Sequence, residues 1–390
     1  MATQELRASA VVTPDRVLEP GAVVVDDGVI ANVVPLAGVD AGAVPARTLA
    51  PGFVDLQVNG HGDVDMAHAQ GEDWDRLDRL LLAQGVTTWC PTLVTAPPRS
   101  YGPALGRLAT ARARPQRGPR PTLAGVHLEG PFLGGAPGAH PREWLRPIDL
   151  GWLAGLAAPA SVAVAVVTLA PELDGAPEAV AALVEQGVLV SLGHSTATYD
   201  QALACVDAGA RLVTHLFNAM APLHHRAPGL VGAALADGRL AVSVIADLVH
   251  VHPAALRAAF LAKGRGGVAL VTDAVAVRAG RVGGLALVVG QDGAPRLADG
   301  TLAGSALTMD RAVRNCVRTA GIDLGAAVDA AATTPARLLG LGDRGELAAG
   351  RRADIVALSP ALDVTEVWVA GEPAWAASGP DHAGGPDHPD

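Results

Sequence analysis

The hydrophobic pattern changes character near each end of the chain. Between residues 6 and 34, short β-branched runs alternate with Pro14-Asp15 and Asp26-Asp27-Gly28, the pattern of antiparallel strands joined by tight turns. A similar texture returns after Gly345, in the runs 353–358 and 366–372. Together these segments predict one small β-domain made of residues 1–50 and 344–377, with residues 51–343 inserted between its halves. The insertion repeats strand then helix. Runs suited to buried strands fall at 52–58, 86–90, 122–128, 162–168, 188–192, 212–214, 241–246 and 268–272. Stretches rich in Ala and Leu at helical spacing lie between most of them, at 74–83, 177–186, 199–208 and 253–262. Eight strands alternating with helices predict a (β/α)8 barrel, an α/β fold whose reactive groups sit at the C-terminal strand ends.

Beyond the eighth run, 285–289 and 294–297 flank Gln291-Asp292-Gly293 and predict a hairpin. Ser305 is placed to cap a helix over 306–319, and Thr334-Pro335 has the form of an N-cap with proline at the first helical position. Residues 378–390 offer nothing to bury and are expected to be disordered, with His382 and His388 solvated.

Composition narrows the picture. Half of the 390 residues are hydrophobic but only 3% are aromatic, so the core must be built from Ala, Val and Leu. A net charge of -10 excludes non-specific binding to nucleic acid or to an anionic membrane, while an anionic small molecule in an arginine-lined cleft remains compatible. Cys90, Cys205 and Cys316 are far apart without Cys-x-x-Cys spacing and are expected to be reduced core thiols. The first ten residues lack a basic segment followed by an apolar core, and charged and proline residues interrupt 11–34. Neither a signal peptide nor a membrane span is predicted, which points to the cytoplasm.

Candidate chemistry appears once the strand ends are compared. Strand one ends in Gln57-Val-Asn59, strand three in His127-Leu-Glu129, strand five in His194, strand six in His215 and strand eight in Asp273. Residues two apart on a strand share a face, so Gln57 points with Asn59 and His127 with Glu129. A histidine at a strand end can be a hydrogen-bonded structural residue. In a barrel, though, Glu129, His194 and His215 converge as three ligands with one coordination position open, the pattern of a catalytic zinc site. Asp273 is either a cap after its strand or a general base beside a water that zinc acidifies to a pKa of about 7. The base role is typically worth about 10²–10⁴ in rate.

These residues and their surroundings resemble the N-acetylglucosamine-6-phosphate deacetylases of the amidohydrolase superfamily. The resemblance rests on Pro51-Gly-Phe-Val-Asp55-Leu-Gln57-Val-Asn59-Gly60, His127-Leu-Glu129-Gly-Pro-Phe, Gly138-Ala-His140, Gly193-His194-Ser195, Thr214-His215-Leu-Phe-Asn218-Ala219-Met220, Val271-Thr-Asp273-Ala274 and Gly300-Thr-Leu-Ala-Gly-Ser305, in that order. It covers the chain from the N-terminal strands to about Ile355. The resemblance implies a barrel with a small β-sandwich, a homodimer, and hydrolysis of the N-acetyl group to glucosamine 6-phosphate and acetate. It also implies that Glu129, His194 and His215 hold the metal and that Asp273 is the acid/base. By the same resemblance His140, beside Ala139, polarises the acetyl carbonyl. Asn218, Ala219, His250 and Arg226 contact the sugar phosphate, Arg226 from its own or the other subunit, and Leu302, Ala303 and Gly304 line the sugar.

Ligand chemistry bears on metal number. A binuclear amidohydrolase site generally takes His-x-His from strand one and often a bridging lysine. Here strand one offers the carboxamides Gln57 and Asn59, poor ligands for a transition metal, and the only lysine, Lys263, is not at a strand end. One divalent ion per subunit, zinc, is expected, with Gln57 and Asn59 holding water or shaping the pocket. His61 and His68 are expected to be exposed loop residues. Where related sequences carry Asp-Gly-x-His this chain has Asp247-Leu248-Val249-His250, which puts the identity of the substrate in question more than the chemistry. Two alternatives stand beside the main reading: a deacetylase of a related compound such as N-acetylgalactosamine 6-phosphate, and a catalytically silent scaffold.

Overall fold

In the computed structural model, residues 3–115, 117–157 and 163–377 are described. The strands Phe53–Val58, Val86–Val94, Val126–Glu129, Val164–Leu169, Leu189–Leu192, Leu212–Val213, Ala241–Val244 and Val268–Leu270 pair in parallel, each with the next in chain order. We refer to them as barrel strands one to eight. Strand one meets the segment after strand eight through Asn59 N to Ala274 O at 2.9 Å and Asp273 N to Gln57 O at 3.0 Å, which brings the two ends of the barrel together.

The helices show how the local sequence commits to this architecture. Asp73–Ala83 buries Trp74, Leu77, Leu81 and Leu82, the apolar stripe of a helix lying against a sheet. Tyr199–Asp207 opens with a capping box between Thr198 and Gln201. In Pro253–Lys263 the N-cap is His252, whose ring accepts the Ala254 N–H, so this histidine serves the helix. Cys90, Cys205 and Cys316 are buried free thiols.

The chain ends share one core. A six-stranded sheet runs Glu372–Ala376, Val364–Val369, Ile355–Leu358, Thr48–Pro51, Ala10–Val12, Val17–Leu18, and a three-stranded sheet joins Gln4–Ala8, Gly21–Asp26 and Val29–Pro35. Side-chain alternation explains why 355–358 is apolar throughout. Ile355 and Ala357 pack with Val23, Ile30 and Trp368 in the small core, while Val356 and Leu358 face the barrel's own core.

Several expectations shift, each for a physical reason. Strand two continues to Val94 because Pro91 sits where the register slips against strand one, so its missing N–H breaks no regular ladder. The expected third strand, 122–128, is split into Thr122–Leu123 and Val126–Glu129, with Gly125 pressed so closely on Ala165 that a Cβ there would lie 2.5 Å from the alanine methyl. The expected hairpin forms between Val288–Val289 and Pro295–Arg296. Ser305 caps no helix. Its hydroxyl donates to Thr272 O at 2.5 Å, and the helix Met309–Arg318 starts after Thr308. Thr334 is the first residue of Thr334–Leu338, one position later than its expected cap role. The tail 378–390 and residue 162 lie outside the described residues.

Candidate active site

Glu129 Oε1, His194 Nε2 and His215 Nε2 form a triangle 3.0 Å on every side. Among the described residues it is the one cluster of histidine, cysteine or carboxylate groups spaced to hold a metal ion. The donor set itself calls for a cation. His194 Nδ1 lies 3.0 Å from Pro137 O, and a carbonyl only accepts, so Nδ1 carries the proton and Nε2 of the neutral ring is bare. That lone pair faces a carboxylate oxygen and a second imidazole nitrogen. Ligand distances of about 2.0–2.2 Å fit one zinc-sized ion touching all three donors. Burial works to raise the Glu129 carboxyl, but the imidazoles of His194 and His215 set against it outweigh that and hold the group well below the usual carboxylate range.

Asp273 and the strand-one carboxamides complete the floor. Gln57 Nε2 donates to Glu129 Oε1 at 2.8 Å and to Asp273 Oδ1 at 3.0 Å, and Asn59 Nδ2 donates to Asp273 Oδ1 at 2.6 Å. Gln57 therefore ties the two carboxylates together and Asn59 braces Asp273, a more specific job than shaping the pocket. Asn59 Oδ1 is left buried without a partner among the described residues. Burial, and next the negative Glu129, push the Asp273 carboxyl up to about 8.

His140 and His127 take opposite tautomers. The Thr95 N–H donates to His140 Nδ1 at 3.3 Å, which leaves the His140 proton on Nε2, facing the site 3.8 Å from Glu129 Oε2. Burial and the neighbouring His194 lower its pKa to about 3, so the ring is a neutral donor. His127 shares a strand face with Glu129 as expected but does not line the cavity. Burial brings it down to about 4, and it is held from below through both nitrogens.

Loops and backbone geometry turn these side chains to the mouth. Glu172 accepts the Gly135 and Thr196 N–H groups at 2.9 and 2.7 Å and the Ser195 hydroxyl at 2.6 Å, clamping the loops that follow strands three and five. His194, His215 and Asp273 have φ of 50°, 32° and 50°, left-handed values for non-glycine residues, as do Ala219 at 51° and Leu248 at 69°. Leu248 thus keeps the backbone conformation of a glycine at some cost in strain, and its side chain does not line the cavity.

A cavity of about 390 Å³ opens above this floor. It brings together Glu129, His194, His215 and Asp273 with Ala139, His140, Asn218, Ala219, His250, Leu302, Ala303 and Gly304. His250 is oriented by Asp247 Oδ2, 2.7 Å from its Nδ1. Arg226 is not part of the lining. It lies on an exposed loop with Nη1 2.8 Å from His225 Nε2. His68 is exposed and pairs with Asp65, while His61 is only half exposed.

Thr95 and Arg296 are among the lining residues that escaped the strand-end comparison. Thr95 follows strand two and is found by the same rule once that strand is extended past Pro91. Arg296 stands on the hairpin after strand eight, held by Asp292 at 2.7 Å, and no motif marks it.

Asp55 lies beneath the floor, fully buried, with Thr272 Oγ1 at 2.6 Å and the Gln57 and Thr272 N–H groups on its other oxygen. Burial raises its pKa to about 7. The folded protein therefore binds this proton more tightly than the unfolded chain, and stability falls as pH rises from about 4 through 7. The loss is at most of the order of 4 kcal/mol at about 1.4 kcal/mol per pH unit. Asp55→Asn keeps the shape and does not ionise. It is expected to be at least as stable as the parent at pH 7.5 and to show a shallower decline between pH 5 and 7.5, the part due to Asp273 remaining. Urea unfolding at the two pH values checks this, and an unchanged decline would refute the assignment.

Residues 48–374 match the family model described as the amidohydrolase family. The chain is 40% identical over 376 residues to the N-acetylgalactosamine-6-phosphate deacetylase of Escherichia coli O157:H7, covering 95% of this chain and 99% of that one. It is 38% identical to the human N-acetylglucosamine-6-phosphate deacetylase over 347 residues, covering 85% and 84%. The crystal structure of N-acetyl-D-glucosamine-6-phosphate deacetylase from Mycobacterium smegmatis superposes with a TM-score of 0.87 at 37% identity, covering 95% of this chain and all of that one. Chemistry of the floor, architecture and sequence agree: the chain belongs to the amidohydrolase family, in the branch of the N-acetylglucosamine-6-phosphate deacetylases.

Proposed function

We propose that this protein hydrolyses the N-acetyl amide of N-acetylglucosamine 6-phosphate to glucosamine 6-phosphate and acetate, with one zinc ion per subunit held by Glu129, His194 and His215. The observation that carries this reading is the triangle of donors beside Asp273 on the floor of a cavity whose lining includes nearly all the residues the resemblance assigns to substrate. Bound zinc supplies a Lewis acid that acidifies water and polarises a carbonyl. A single ion is favoured because strand one offers only the neutral carboxamides Gln57 and Asn59, poor ligands for a transition metal.

The chain's own groups take the remaining tasks. Asp273 accepts the proton of the attacking water and returns it to the leaving nitrogen, held in place through Oδ1 by Asn59 and Gln57. His140 donates from Nε2 to the acetyl oxygen, where negative charge develops. Leu302, Ala303 and Gly304 line the sugar, and Asn218, Ala219 and His250 take the phosphate end. Arg226 stands outside its own cavity on an exposed loop, which supports a homodimer in which it reaches the neighbouring subunit's phosphate site. Three buried thiols and the acidic charge balance support a cytoplasmic setting. Residues 1–50 and 344–377 form one small domain around 51–343, a division supported by their shared core.

The 40% identity to an N-acetylgalactosamine-6-phosphate deacetylase favours the C4 epimer as a second reading. Acetate release from the two phosphosugars and from unphosphorylated N-acetylglucosamine separates the cases. The expected result is fastest turnover of N-acetylglucosamine 6-phosphate. Faster release from the galactosamine epimer would put the second reading first, and equal release from the unphosphorylated sugar would remove the phosphate assignment.

A further inference from the structure

Beneath the three metal ligands, buried side chains form a continuous hydrogen-bonded chain inside the barrel. His127 Nε2 is 2.8 Å from Thr168 Oγ1, Thr168 Oγ1 is 2.8 Å from Thr214 Oγ1, and Thr214 Oγ1 is 2.5 Å from Ser191 Oγ. At its other end His127 Nδ1 meets Leu56 O at 3.1 Å. None of the four side chains belongs to a residue more than 2% exposed.

The terminal carbonyl fixes the order of every proton in this chain. Leu56 O can only accept, so His127 Nδ1 donates and Nε2 of the neutral ring accepts. Thr168 must then donate to His127 and accept from Thr214, and Thr214 must accept from Ser191. The order runs one way and stops at a backbone carbonyl, so the chain is a strut and carries no proton to the site.

Each end of the strut touches backbone that bears a ligand. His127 is two residues before Glu129 on the same strand face, Thr214 immediately precedes His215, and Ser191 lies on the strand Leu189–Leu192, two residues beyond which stands His194. Gly193, next to His194, rests directly on the strut. A Cβ there would lie 2.9 Å from Thr214 Cβ and 3.2 Å from Thr168 Cγ2. Thr168 is the member whose own strand, Val164–Leu169, bears none of the three ligands, and it bridges the His127 side to the Thr214 and Ser191 side.

We propose that Thr168 is a positioning residue for the metal centre, its hydroxyl locking the strand ends of Glu129, His194 and His215 in the register that sets their donors 3.0 Å apart. The inference rests on the metal-binding reading of that triangle. Direct hydrogen-bonding partners of metal ligands typically change affinity about 10- to 100-fold when lost, and Thr168, which bonds no ligand itself but acts through the strands that carry them, is expected to have a smaller effect.

The test uses the full chain loaded with zinc or cobalt. Thr168→Val keeps the shape and removes the hydroxyl, and Thr168→Ser restores it. Zinc affinity, measured by chelator competition, is expected to weaken several-fold, up to about tenfold, in Thr168→Val. The visible absorption of the cobalt form should change with it, and both should return toward the parent in Thr168→Ser. Ser191→Ala, at the far end of the strut, is expected to shift the same two readouts in the same direction and serves if the valine variant does not fold. Parental zinc affinity and an unchanged cobalt spectrum in a folded valine or alanine variant would overturn the proposal, even if its melting temperature fell. A parent protein that binds neither metal would overturn the metal reading itself, and the inference with it.

Discussion

Asp273→Asn is expected to lower kcat by about 10²–10⁴-fold while zinc content stays at one equivalent per subunit. Asparagine presents an oxygen in place of Asp273 Oδ1, so the donors Gln57 Nε2 and Asn59 Nδ2, at 3.0 and 2.6 Å, keep an acceptor. The floor should therefore keep its shape. What disappears is the group proposed to carry a proton between the attacking water and the leaving nitrogen. Because Asp273 is not one of the three donors in the triangle, metal retention separates this outcome from a ligand role. Steady-state kinetics and metal analysis of the same preparation decide it, and loss of zinc in the variant would reassign Asp273 as a ligand.

Glu129→Gln is expected to remove both metal and turnover. The parent should bind one equivalent of zinc, and the variant less than about a tenth of that at equal free zinc, since losing a direct ligand exceeds the 10- to 100-fold effect of losing a supporting hydrogen bond. Glu129 is the only anion of the triangle, and its Oε1 is the shared vertex of both histidine contacts. Glutamine leaves two imidazoles and an amide, a set with poor affinity for a transition metal. Its amide oxygen can take the Oε1 position and still accept from Gln57 Nε2, so what is lost is the charge and not the floor. A variant that held a full equivalent of zinc would place the metal elsewhere.

Much of the site was legible because a parallel strand delivers its last side chains to one rim. That rule alone brought Glu129, His194, His215 and Asp273 to a common mouth, where a single cavity now contains them. It could not tell which carboxamide nitrogen meets which carboxylate, since Gln57 and Asn59 contact partners 72 to 216 residues away. His127 and His140 look alike in sequence, yet one donates downward to Leu56 O and the other accepts from Thr95 and faces the cavity. Thr95 was hidden because the apolar run 86–90 stops short of Pro91, whereas the strand continues through a register slip there to Val94. Arg296 owes its place to a hairpin folding back over the mouth, a tertiary event with no local signature.

The left-handed backbone at His194, His215 and Asp273 reaches beyond catalysis. Each non-glycine residue held there costs roughly 1–2 kcal/mol that a glycine would relieve, although glycine supplies neither ligand nor base. A library of this protein selected for heat resistance alone would therefore be drawn toward glycine at the rim and would lose its hydrolytic activity as it gained robustness. Leu248, with φ of 69° and no side chain in the cavity, is where that same pull leaves the reacting groups intact.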